Sequence, residues 1–216
     1  WKEWFESIGI KKESLTILHN ITPEPTYIPS AKVDDGKIHF LFLGEIGQRK
    51  GVFDIIKAIA QHKDEAEGKI ELRIGGNRNE EKLISAIKQN GLEETVIFEG
   101  WVSGEKKLRL LNWANVYILP SFNEGLPISI LEAMSYGHPV ISTPVGGIPE
   151  VVDGNGILVT PGNADEIWAA MSRYIDNPSA ISQEGSISHR NVRPYLPDSV
   201  MEQLRQIYLD ILAVKR

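Results

Sequence analysis

Cysteine is absent from the chain, which removes disulfides and thiolate metal ligation at once. A basic surplus is also missing. The formal net charge is −6, whereas a broad grip on nucleic acid or an anionic membrane needs the opposite sign. No apolar run approaches the roughly 18–20 residues that cross a bilayer, and no secretory leader pattern is visible. The phosphate-loop pattern G-x-x-x-x-G-K-[ST] does not occur, and G-x-G-x-x-G does not follow the first strand, so neither a P-loop NTPase nor the usual NAD site is supported. The 5 histidines lack metal-type spacing. Any phosphate-bearing ligand must therefore be gripped locally, by a small basic cluster and backbone amides.

What remains is the composition of an ordinary globular protein, 42% hydrophobic and 24% charged over 216 residues. Trp1, Trp4, Phe5 and Ile8 fall on one face of a short helix that Gly9 can end. That stripe needs a surface, either on this domain or on one upstream. Thr22 to Thr26 and Asp34-Asp35-Gly36 read as connector. Strands and helices then alternate. Strands are expected at Ile38–Leu43, Ile70–Ile74, Thr95–Phe98, Val116–Leu119, Val140–Ile141 and Ile157–Val159. Helices are expected at Val52–Ala60, Glu80–Gln89, Glu105–Asn112, Ile128–Tyr136, around Val151, and at Ala164–Ile175. Fully apolar strands between helices mean a parallel sheet covered on both faces. The class is α/β: a Rossmann-like, doubly wound parallel sheet of about six strands, with helices on both faces. Val200, Leu204, Ile207, Tyr208, Ile211 and Leu212 make an amphipathic C-terminal helix over 197–216, which packs on the sheet or on a neighbouring domain.

In such sheets ligands bind beyond the carboxyl ends of the strands. After the first strand comes Gly44-Glu45-Ile46-Gly47-Gln48-Arg49-Lys50-Gly51. Adjacent cations between glycines, just ahead of a helix, suit a diphosphate, though an Arg-Lys pair in a loop is often merely solvated. After the fourth strand comes Pro120-Ser121-Phe122-Asn123-Glu124-Gly125-Leu126-Pro127-Ile128, leading into Leu131-Glu132-Ala133-Met134. Gly125 allows close backbone approach, and Pro127 opens a helix whose first amides form an anion site. Glu132 lies in an apolar helix and must find donors, or lose roughly 2 kcal/mol or more to desolvation. Sugar or ribose hydroxyls are suitable donors; a capping or surface glutamate is the plainer alternative for either acid taken alone.

The segment PSFNEGLPISILEAMSYG resembles the signature of the retaining glycosyltransferase family 4, of GT-B fold, with two glutamates separated by seven residues. The likeness runs on through Pro144-Val145-Gly146-Gly147. It reaches back through Gly100-Trp101-Val102, Gly75-Gly76 and Arg49-Lys50-Gly51 to His19-Asn20. It implies that residues 1–216 are one C-terminal nucleotide-sugar-binding domain, with 1–30 as interdomain linker region and an N-terminal acceptor domain lying outside this chain. The catalytic pair it implies is Glu124, at the transferred sugar, and Lys50, neutralising the leaving diphosphate in place of a metal. Donor-binding residues would be Glu132 at the ribose, Arg49, Gly47 and Gly75, Trp101 and Val102 at the base, and Gly125, Leu126, Pro127 and Ile128 at the distal phosphate. The implied donor is a UDP-, GDP- or ADP-type sugar, with no metal and no other cofactor. The implied acceptor is a glycan or lipid-linked sugar, with no nucleic acid involved. The expected location is the cytoplasm, at the inner face of the plasma membrane through the N-terminal domain.

Two positions depart from the pattern. Glu45 stands where the family has arginine, and an acid there would repel a diphosphate; Arg49 is the expected replacement cation. Ile21 stands where glycine would follow Asn20. A GT-B epimerase or phosphorylase would need acid/base residues or a pyridoxal-binding lysine motif, and neither is evident. A glycoside hydrolase would explain two carboxylates but not the cationic loop. A nucleotide-sugar-binding module without catalysis describes the isolated chain equally well.

Overall fold

The computed structural model describes residues 2–27 and 34–214. Six parallel strands form one sheet: β1 (Ile38–Leu43), β2 (Ile70–Gly75), β3 (Val96–Gly100), β4 (Val116–Leu119), β5 (Val140–Ser142) and β6 (Gly156–Leu158). Their spatial order is β3-β2-β1-β4-β5-β6, with Phe40 of β1 registered against both Leu72 and Val116. The central strand is IHFLFL, and residues 39–43 are all buried. A strand with helices above and below has no solvent face, so both of its side-chain rows are apolar.

Ten α-helices are seen among the described residues: α1 (Lys2–Ser7), α2 (Val52–Gln61), α3 (Lys63–Ala66), α4 (Glu80–Gln89), α5 (Gly104–Trp113), α6 (Ile128–Ser135), α7 (Ile148–Val151), α8 (Ala164–Asp176), α9 (Ser179–Asn191) and α10 (Pro197–Val214). Helix α2 packs against α4 and α8, whereas α6 packs against α9. On the side of α6, the His138 ring nitrogen Nε2 meets the Leu111 carbonyl of α5 at 2.7 Å. The chain therefore winds outward from β1 in one direction through β2 and β3, crosses over, and winds from β4 in the other. Neighbouring β1 and β4 send their following loops to opposite faces, which opens a crevice at their carboxyl ends. No helix of the described residues is long and apolar enough to cross a membrane.

The expected strands and helices are present, with ends shifted by one or two residues. Helix α9 was not expected. Its sequence, SAISQEGSISHRN, has little apolar periodicity and buries only Ala180, Glu184, Gly185 and Ser188. It is secured by polar contacts instead. Arg173 and Tyr174 of α8 bond the Glu184 carboxylate at 2.5 and 2.6 Å, and the Ser188 hydroxyl donates to the His138 carbonyl at 2.7 Å. At the N-terminus, Trp1 lies outside the described residues, while Trp4, Phe5 and Ile8 are all exposed. Helix α10 buries Val200 near its start and half-buries Leu204 and Ile207, but Tyr208, Ile211 and Leu212 are exposed, so the later half of its apolar stripe is uncovered among the described residues.

Burial raises the pKa of two phenols above the ordinary tyrosine range. Tyr117 is wholly enclosed and donates to the Leu43 carbonyl at 2.9 Å. Tyr174 is also pushed up by its bond to Glu184. An unfolded tyrosine ionises near pH 10, roughly. The folded state keeps both protons where the unfolded chain releases them, so this stabilisation is whole below about pH 10 and is lost as the pH rises further. Urea unfolding followed by tryptophan fluorescence is expected to give a steady midpoint up to about pH 9.5, then a falling one. The fall should be shallower in Tyr117→Phe. A midpoint unchanged to about pH 11 would contradict this assignment.

Candidate functional site

Two loops meet over the crevice, one after β1 (44–51) and one after β4 (120–127). The first ends in a 3₁₀ turn, Gln48–Lys50, and then in Gly51, whose φ of 72° is left-handed. A side chain at Gly51 would collide with the Pro120 carbonyl of the other loop. Glycine is thus required twice there, for conformation and for space. The Phe122 N–H donates to the Arg49 carbonyl at 2.8 Å, closing the contact. On its far side the second loop meets Gly146 (φ 56°), where a Cβ would strike the Glu124 carbonyl; the Gly147 N–H donates to the Gly125 carbonyl at 2.6 Å. The Glu124 segment is therefore clamped from both sides by backbone.

This clamping brings Lys50 and Glu124 together. Lys50 Nζ lies 2.5 Å from Glu124 Oε1, with side-chain exposures of 15% and 8%. Arg49 reaches the same acid more loosely, at 3.9 Å, and donates to the Asn123 carbonyl at 3.2 Å. Glu45 does not stand as a bare repelling acid. One of its oxygens is 3.7 Å from Arg49 and the other is 3.5 Å from Arg78. Among the described residues, Arg78 and Asn79 are the two non-glycine residues with positive φ, 65° and 43°, in the loop after β2. That loop is tied to the first by Ile46 N–H to Asn77 carbonyl at 2.8 Å and Asn79 Nδ2 to Ile46 carbonyl at 2.7 Å. Arg78 itself carried no signal in the sequence, although Gly75-Gly76 just before it did, because the pairing joins separate loops.

Helix α6 starts at the mouth of the crevice, with Pro127 as its N-cap. Among the described residues the N–H groups of Gly125, Leu126 and Ile128 have no acceptor, as expected ahead of and within a first helical turn. Pro127 has no N–H to offer. Anions are favoured at such a terminus. Glu132 sits one turn further in and is 8% exposed. Its partner is Lys107 of α5, whose Nζ lies 2.6 Å from Glu132 Oε1. That lysine was missed: α5 lies before the signature segment, and side chains on different helices show no sequence spacing.

The remaining expected residues are spread around this centre. Gly47 is buried, and its carbonyl accepts the Lys50 N–H at 3.2 Å. Gly75 lies a layer lower, in β2, where a Cβ would press on Leu43 and Val102; its place is in the packing beneath the loops. Trp101 follows β3 and is 67% exposed, whereas Val102 packs on the core. The linker also reaches the site, since Asn20 Nδ2 donates to the Leu126 carbonyl at 3.2 Å. Among the described residues no three His, Asp or Glu side chains converge as metal ligands would.

Comparison with known proteins adds a family. The model describing glycosyl transferases group 1 matches residues 24–189. The MMP alpha-(1->4)-mannosyltransferase of Mycolicibacterium hassiacum is 31% identical over 170 residues, covering 76% of this chain and 41% of that protein. The lipopolysaccharide 1,6-galactosyltransferase of Salmonella typhimurium is 31% identical over 182 residues, covering 81% and 50%. Among solved structures, the lipopolysaccharide outer core galactosyltransferase WaaB in its apo form gives a TM-score of 0.77 at 26% identity, covering 97% of this chain and 59% of that one. Anabaena Alr3699/HepE in complex with UDP has the same fold, with a TM-score of 0.79 at 20% identity over 97% and 61%. The chain spans about half the length of the curated relatives it matches.

Two glycines of the site separate packing from openness. Gly51→Ala should cost about 1–3 kcal/mol in urea unfolding, because the methyl group strikes backbone and φ is left-handed. Gly125→Ala should stay within about 0.5 kcal/mol of the parent, since its added carbon meets nothing within 4 Å. Equal losses at the two positions would refute the clamp.

Proposed function

This chain belongs to the group 1 glycosyltransferases, and we propose that it is the donor-binding half of a retaining, family 4-type enzyme using a nucleotide-diphosphate sugar. The observation that carries this reading is the Lys50–Glu124 pair, fixed beside the acceptor-less amides of Gly125, Leu126 and Ile128. A diphosphate laid there meets a cation on one side and a helix N-terminus on the other. Sugar hydroxyls would take over the Glu124 carboxylate once Lys50 turned to the phosphate. Arg49 is the second cation, and Glu45 holds it in place together with Arg78. Glu132 would accept from the ribose, and the backbone at Trp101 and Val102 would face the base.

In the reaction, the bond from the anomeric carbon to the β-phosphate oxygen breaks. The bond to the acceptor hydroxyl oxygen forms on the same face, and the hydroxyl proton passes to the departing phosphate. Charge grows on the phosphate as the bond lengthens, so a fixed ammonium and fixed amides favour the transition state over the ground state. Lys50 then does work that a divalent ion would otherwise do, and the proposed chemistry uses no metal. The acceptor, a glycan or lipid-linked sugar, would be presented by an N-terminal domain. The linker region through residue 30 would lead from that domain, and the enzyme would work in the cytoplasm, with the N-terminal domain holding it at the inner face of the plasma membrane. A UDP-, GDP- or ADP-sugar fits the chemistry equally, and HepE, of like fold, was solved with UDP.

Calorimetry of the full-length protein against a panel of nucleotide sugars should identify one donor that binds. With that donor, Lys50→Ala should lower kcat by about 10²–10³, and proton NMR of the product should show the anomeric configuration kept. Residues 1–216 alone should bind nucleotide weakly and transfer no sugar. Inverted product would overturn the retaining assignment, and turnover by the isolated chain would overturn the two-domain one.

A further inference from the structure

Arg78 enters the reading above only as a companion of Glu45, yet its loop is built as closely as the two that carry the site. The Ile46 N–H donates to the Asn77 carbonyl and Asn79 Nδ2 to the Ile46 carbonyl, so the loop after β2 is zipped to the loop after β1. Gly76 packs backbone on backbone, where a Cβ would strike the Gly44 carbonyl. Arg78 and Asn79 then hold positive φ, a conformation disfavoured for residues with a Cβ and found where a site uses the side chains. Asn79 spends its side chain on the zip. Arg78 sends its guanidinium, on a side chain 71% exposed, to within 3.5 Å of Glu45.

Sheet order decides where that guanidinium lies along a nucleotide. β2 stands between β3, which leads into Trp101 and Val102, and β1, which leads into Lys50. A ligand with its base at the first and its distal phosphate at the second spans the loop after β2. Between those ends lie the ribose, already matched to Glu132, and the proximal phosphate, which has no cation of its own. Charge points the same way. In the loops after β1 and β4, Arg49 and Lys50 are balanced by Glu45 and Glu124, so they offer a diphosphate no surplus. Arg78 supplies one. Its contact with Glu45 is long and exposed, which gives direction at little strength. A guanidinium carries five N–H donors, so it can keep the carboxylate on one edge and take a phosphate on another. We propose that Arg78 binds the phosphate next to the nucleoside, delivering from the following loop the cation that position 45 lacks. The inference rests on the proposed placement of the base at Trp101 and Val102 and of the distal phosphate at Lys50.

The test is calorimetry on the full-length protein with UDP, GDP and ADP, and with the monophosphate of whichever binds. The monophosphate carries only the phosphate in question. Arg78→Gly removes the guanidinium and suits the left-handed backbone, so its urea midpoint should stay at the parent's. It should nevertheless bind the diphosphate and the monophosphate about tenfold more weakly, the worth of one charge-assisted contact. Arg78→Glu should cost more than tenfold, and adding Glu45→Arg to it, which sets a cation at the other end of the same gap, should recover most of that loss. Monophosphate bound by Arg78→Gly as tightly as by the parent would overturn the proposal. So would a loss confined to the diphosphate, which would put Arg78 at the distal phosphate. If the parent protein binds none of the three diphosphates, the nucleotide reading itself fails, and the proposal falls with it.

Discussion

The approach of two loops at Gly51 and Pro120 is the constraint on which the site depends. β1 and β4 are neighbours whose chains leave for opposite faces, and open sheets of this class receive ligands at that point. The absence of a side chain at Gly51 lets the loops close to backbone contact. Lys50 then stands one residue from that contact on one loop, and Glu124 four residues from it on the other. Gly146 repeats the device on the far side. Neither acid nor base is aimed by its own rotamer alone, because the backbone beneath each is pressed into place.

Within this frame the acids carry their own cations. Glu124 has Lys50 and, at longer range, Arg49; Glu45 has Arg49 and Arg78; Glu132 has Lys107. Such pairing answers the difficulty of partly buried carboxylates, which are stable in an apolar surrounding only with partners. It also changes what a ligand must do. A phosphate that claims Lys50 leaves Glu124 in need of donors, and sugar hydroxyls are donors. Under the proposed reading, the two ends of one substrate exchange with the two ends of one ion pair.

The sheet was legible in the sequence wherever strands are apolar on both faces. IHFLFL and VYIL could hardly be anything else, and the loops after them drew attention to Lys50, Glu124 and Glu132. The misreadings have physical causes. Helix α9 lacks an apolar stripe because serines and a buried Glu184 do its packing, and polar contacts leave no 3.6-residue period. Glu45 looked hostile to a phosphate because its neighbours in sequence were the only ones available; Arg78 reaches it from a loop that starts over thirty residues later, at Gly76. Lys107 stayed hidden for the same reason, being a contact between helices and not within one.

The segment at residues 19–27 is stapled across this half of the fold. Asn20 bonds the Leu126 carbonyl, the Thr22 N–H donates to the Tyr195 carbonyl at 2.9 Å, and the Thr26 N–H donates to the Tyr136 hydroxyl at 3.0 Å. The first of these ends on the loop that carries Glu124; the last ends on the residue that closes α6. Tension applied to the chain ahead of residue 19 is therefore delivered at two ends of the same helix. The segment 19–27 therefore works as a tendon on α6.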